Sequence, residues 1–151
     1  MTGSVQEAPM KTVQIDRNKR LKDQPTTGHN RFHPEVPPII AVEEGEEVVL
    51  ETRDGVDGQL GPGTTEADMA NMEAGAIHPL TGPVFVKGAQ PGDVLEVEFL
   101  DIVAQPHAFT GIFPGLGFLR DVFTTPFLVH WQIRDGWATS PTLPRVRIPG
   151  A

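Results

Sequence analysis

The chain has 151 residues, enough for one domain with a modest core, and it carries no cysteine. Its formal net charge of -8 argues against broad binding to a nucleic-acid backbone or an anionic membrane surface. Disulfide staples, thiolate nucleophiles and cysteine metal ligands are excluded. No apolar run approaches the roughly 20 residues that span a bilayer, and the opening "MTGSVQEAPMKTVQIDRNKR" lacks the apolar stretch of a signal peptide. A cytoplasmic location is the expectation.

Gly (16) and Pro (15) make up about a fifth of the chain, well above ordinary usage, so long helices are disfavoured. Eight Phe and several Val-rich runs favour a folded β-rich domain over disorder. Residues 1–10 read as a flexible tail and 11–151 as a single β-rich domain. "KTVQIDR" (11–17) predicts a first strand, followed by a polar loop. "PPIIAVEEGEEVVLETRDG" reads as a strand, a tight turn at Glu43–Gly45 and a strand from Glu47 to Thr52. A Gly-rich loop follows. "TTEADMANMEAG" (64–75) is the one convincing helix, with Thr65 as N-cap, Asp68 completing a capping box and Gly75 as the stop.

A strand around Val84–Val86 comes next, then a turn at "AQPGD", where Pro followed by Gly suits type II. Val94 to Val103 has the cleanest alternation in the chain and predicts a long, half-buried antiparallel strand. "PFLVHWQIRDGWATSPT" predicts a hairpin turning at Asp135–Gly136, with Val129, Trp131 and Ile133 on one face. The expected fold is therefore mainly β: a β-sandwich or barrel-like set of antiparallel sheets with one short helix around 65–74.

"GHNRFHPEVPP" (28–38) places two imidazoles beside an Asn, an Arg and three prolines. The prolines restrain the backbone, so Asn30, Arg31 and His33 could be held in place cheaply. His33 suits proton transfer near neutral pH. The plainer alternative has Asn30 and His33 satisfying loop carbonyls. Asp68 and His78 offer a carboxylate and an imidazole, good ligands for zinc or a similar divalent ion such as calcium. Two ligands do not make a site, and from these residues alone a helix cap plus a hydrogen-bonded turn residue is the plainer reading. Asp54 and Asp57 lie in "RDGVDGQ", which is no EF-hand loop and reads first as a turn. Lys87 could bind an anion or orient a carboxylate, or simply face solvent. His107 and His130 carry little signal, and no Walker loop, dinucleotide fingerprint or HExxH is present.

Taken together, "HNRFHPEVPPI", "VVLETRDGVDGQ" and "IHPLTGPVFVKGAQPGDVLEVEFLDI" closely resemble the acetamidase/formamidase family, from about Lys11 to the end of the chain. The resemblance implies a β-rich, cytoplasmic, oligomeric amidohydrolase that converts formamide or acetamide to a carboxylate and ammonia. It also implies a divalent metal, and it maps the family's polar motifs onto Asn30, His33, Asp54, Asp57, Asp68 and His78. Family members are about twofold longer or more. The expected partners are therefore a small amide and either further copies of the chain or a complementary C-terminal amidase chain. An inactive β-rich assembly module and a small-ligand binding module remain the alternatives.

Overall fold

A computed structural model describes residues 10–150. Apart from Met10, the expected tail lies outside the described residues. The described chain divides into two compact units, one formed by residues 10–58 with Glu73–Val94, the other by Gln59–Met72 with residues 95–150.

The first unit is built from three short ladders. Strand β1 (Lys11–Val13) runs parallel to β4 (Val48–Leu50), and β3 (Ile40–Val42) runs parallel to β6 (Val84–Val86). Strand β2 (Gly28–His29) pairs antiparallel with β5 (Leu80–Thr81). Two ladders are thus parallel where antiparallel pairing was expected, because long connections separate their partners and no hairpin joins them. Val13, Ile15 and Val42 form the buried apolar core of this unit. The Glu43–Gly45 turn is present, with Glu46 N–H donating to the Glu43 carbonyl at 3.2 Å and Gly45 at φ 77°. The type II turn is present too: Asp93 N–H donates to the Gln90 carbonyl at 3.0 Å, and Gly92 has φ 104°.

The second unit holds a four-stranded antiparallel sheet in the order β10–β9–β8–β7, formed by β7 (His107–Ile112), β8 (Phe127–Arg134), β9 (Trp137–Thr139) and β10 (Arg147–Pro149). The β8–β9 turn falls at Asp135–Gly136, both with positive φ (53° and 74°), as a two-residue type I′ hairpin requires. Val129 and Trp131 are buried on the expected shared face, and the Trp131 indole N–H donates to Thr110 Oγ1 at 3.0 Å. Leu60, Met69 and Leu128 are buried in this unit as well.

Helix α1 covers only Glu66–Met69. Thr65 caps it as expected, its backbone N–H and its hydroxyl donating to Asp68 Oδ2 at 2.7 and 3.0 Å. The helix does not reach Gly75, which sits in a separate 3-10 turn at Ala74–Ala76. Beyond Met69 the bonding tightens: Asn71 N–H donates to the Asp68 carbonyl, and the Asn71 side chain returns to the Ala67 carbonyl.

The expected strand Val94–Val103 is not formed. Val94, Phe99 and Val103 are 94%, 77% and 86% exposed, and no described residue pairs with this stretch. Alternation decides which face a strand would bury, but a ladder partner is needed to make the strand. The β-rich class with one short helix holds, and no ladder closes into a barrel among the described residues. No helix among them is long and apolar enough to cross a membrane.

Candidate active site

Gly28 decides how closely β2 approaches β5. A Cβ at this position would lie 2.2 Å from the Leu80 carbonyl oxygen, so only glycine permits the approach. The register then sets His29 opposite Leu80 and Gly28 opposite Thr81. Beyond β2 the chain turns at His33–Val36, closed by Val36 N–H on the His33 carbonyl at 3.1 Å, with Pro34 at the second turn position. Asn30 braces the loop by donating from Nδ2 to the Gly75 carbonyl at 2.6 Å, and Ile39 N–H donates to the Pro83 carbonyl at 2.9 Å. The Gly82–Pro83 peptide is cis. Thr81 Oγ1 donates to the Glu51 carbonyl at 2.7 Å.

This framework borders an open cleft of about 640 Å³. His29, Arg31, Phe32 and His33 line it from the β2 side, and Leu80, Thr81 and Pro83 line it from the β5 side. The volume falls within the range of small-molecule sites, and the lining has their character: apolar walls with a few polar groups.

The two imidazoles present different faces. His29 Nδ1 lies 2.7 Å from the Arg31 carbonyl oxygen. A carbonyl only accepts, so Nδ1 carries the proton and Nε2 of the neutral ring keeps a lone pair. At His33 the situation reverses. The Glu35 N–H donates to Nδ1 at 3.2 Å, so the proton of the neutral ring sits on Nε2. His29 offers an acceptor and His33 a donor.

A sequence profile described as "Acetamidase/Formamidase family" matches residues 14–151. The chain belongs to the acetamidase/formamidase family. It is 34% identical over 155 residues to an acetamidase of Mycolicibacterium smegmatis, covering 94% of this chain and 38% of that protein. It is 35% identical over 148 residues to a formamidase of Methylophilus methylotrophus, covering 93% of this chain and 36% of that one. Among solved structures, a γ-lactamase from Delftia acidovorans superposes with a TM-score of 0.86 at 35% identity, over 93% of this chain and 36% of that one. The chain thus spans well under half the length of these acetamidase/formamidase relatives.

Two of the three motifs that carry the family likeness meet in the cleft, "GHNRFHPEVPP" on one side and "LTGP" on the other. Of the residues singled out by sequence, His33 and Arg31 line the cleft, and Asn30 braces it. His29 received no role from sequence, although it opens the same motif. The other candidates are engaged elsewhere. Asp54 accepts from the Val56 and Gly58 N–H groups at 2.9 and 2.8 Å, a local turn. Asp57 is buried, accepts from Leu21 N–H at 2.9 and 3.1 Å, and faces the Arg20 and Arg53 guanidiniums. Lys87 pairs with Glu43, whose carboxylate raises the lysine pKa. Asp68 holds the helix cap, and the Thr65 backbone N–H, then its hydroxyl, lower its pKa. His78 sits in the left-handed region at φ 59°, its backbone N–H on the Gly55 carbonyl at 2.8 Å.

Among the described residues no group of three or more His, Asp or Glu side chains is placed to hold a metal ion. Both oxygens of Asp54 and of Asp57 accept protein donors, and Asp68 accepts through Oδ2. One further polar group went unread in the sequence. His107 Nε2 lies 3.0 Å from His130 Nδ1, and His130 Nε2 lies 2.7 Å from the Thr64 carbonyl oxygen. Burial, then the neighbouring His130, lowers the His107 pKa.

Proposed function

We propose that the chain supplies the amide-binding cleft of an amidohydrolase acting on short amides such as formamide and acetamide. The observation that carries this reading is the meeting of His29, Arg31 and His33 with Leu80, Thr81 and Pro83 around one cleft. The substrate carbonyl oxygen faces the His33 Nε2–H. Neutral His33 stabilises the developing oxyanion by donating a hydrogen bond, and it keeps its proton because the Glu35 N–H occupies Nδ1. Leu80 and Pro83 offer an apolar wall to the small acyl group, and the Arg31 guanidinium faces the carboxylate product.

The active particle, in this reading, includes more polypeptide than this chain: either the remaining length its relatives carry or further copies. The 36–38% coverage of those relatives and the exposed apolar stretch from Val94 to Val103 support it. The names of the relatives favour linear amides, and the lactamase neighbour makes a γ-lactam the natural competing substrate.

The test is ammonia release from formamide and acetamide, by the chain alone and by the chain fused to the C-terminal portion of a relative. Release in either format supports the proposal. Absence of release in both, with the fused polypeptide folded, overturns it.

A further inference from the structure

We infer that His29 is the proton-transferring base of the cleft, the group that activates the attacking water. This rests on the proposed amide hydrolysis and adds the base that such a reaction needs. The inference follows from hydrogen-bond bookkeeping. The Arg31 carbonyl fixes the His29 proton on Nδ1, which leaves the Nε2 lone pair available, and no described residue donates to it. His29 lines the cleft from the first residue beyond Gly28, where the close approach to Leu80 limits backbone movement. The ionisable side chains lining the cleft are His29, Arg31 and His33. Arg31 presents only N–H donors, and His33 Nδ1 is already an acceptor for Glu35 N–H, so only His29 offers an unused basic nitrogen.

The step balances with one water. The water oxygen bonds to the amide carbon while its proton passes to His29 Nε2, forming an imidazolium and a tetrahedral oxyanion. The imidazolium then returns that proton to the amide nitrogen as the C–N bond breaks. Ammonia leaves, the carboxylic acid loses its proton to ammonia or solvent, and His29 is again neutral. One imidazole serves first as base and then as acid, and the Arg31 carbonyl steadies the cationic form in between.

The experiment uses the polypeptide that releases ammonia from formamide. His29→Gln is expected to lower kcat by roughly 10²- to 10⁴-fold, with KM little changed, and to remove the acid limb of the pH–rate profile. His33→Gln keeps a donor in the cleft, so its profile retains the acid limb. Imidazole added to His29→Ala is expected to restore part of the rate. Nitrogen-15 imidazole shifts of the unsubstituted protein are expected to report the Nδ1–H form at His29 and the Nε2–H form at His33. An active protein whose His29→Gln variant keeps both rate and acid limb overturns the inference while leaving the amidase reading intact. An Nε2–H tautomer at His29 overturns it independently of activity. Absence of release by both the chain and the folded fusion overturns the amidase reading itself, and the inference with it.

Discussion

Asp57 offers a strict test of how the first unit is held together. Its side chain is about 1% exposed, and its carboxylate lies 3.4 Å from Arg20 Nε and 3.5 Å from Arg53 Nε. The Arg53 guanidinium continues to Gln24 Oε1 at 2.5 Å and Thr27 Oγ1 at 3.2 Å, immediately before β2. The aspartate therefore anchors the segment that delivers His29 to the cleft. Asp57→Ala leaves the buried Arg53 guanidinium without its counter-charge, while Arg20 keeps Glu73 at 3.1 Å, a loss of about 3–5 kcal/mol for a broken buried pair. The residue also has φ 57°, where alanine adds about 1–2 kcal/mol of left-handed strain. The expected total, about 4–7 kcal/mol, rivals the whole stability of a small domain. Asp57→Asn tolerates that backbone and keeps an oxygen for Leu21 N–H, so it isolates the charge at about 1.5–3 kcal/mol. Urea unfolding followed by far-UV circular dichroism, with hydrogen exchange at the Leu21 amide, should rank Ala well below Asn and Asn below the unsubstituted chain. Two variants within about 0.5 kcal/mol of the unsubstituted chain would refute the reasoning.

Gly28→Ala should cost about 1–3 kcal/mol by overpacking against the Leu80 carbonyl, and the Gly28–Thr81 cross-strand NOE should weaken. An intact NOE with unchanged stability would show that the close approach is not required. Asp68 has a lowered pKa in the fold, so its contribution is present above the ordinary carboxylate range and is lost as pH falls through the folded value. Exchange of the α1 amides should therefore accelerate in acid, and Asp68→Asn should flatten that dependence. His107 also titrates lower in the fold, which favours the neutral ring. Its contribution is full above about pH 6.5 and is lost as pH falls from there toward the folded value. The urea midpoint should drop over that interval, and His107→Gln should remove the drop.

The signals that could be read from sequence were local ones. Asp135–Gly136 announces its hairpin because both positions must adopt positive φ, and Thr65 with Asp68 announces a cap because the bonds close within four residues. The stretch from Val94 to Val103 misled for the opposite reason: its alternation is local, but the partner that would make it a strand is not. β2 and β5 are two residues each, too short to show any period. His33 and Arg31 were legible as polar residues locked among prolines. The role of His29 was not, because it depends on which nitrogen a neighbouring carbonyl occupies. Asn30 was legible as one of those polar residues, but its reach to the Gly75 carbonyl 45 residues away was not. The surroundings of Asp57 arise the same way, from partners 36 and 37 residues distant.

The central claim is that small amides bind between the two family motifs that line the cleft. Titrating the chain with acetamide, while following backbone and imidazole NMR signals, measures this most directly. Shifts confined to His29, Arg31, His33 and the Leu80–Thr81 amides are the predicted result. Saturating shifts that fall elsewhere, with these signals unmoved, would contradict it.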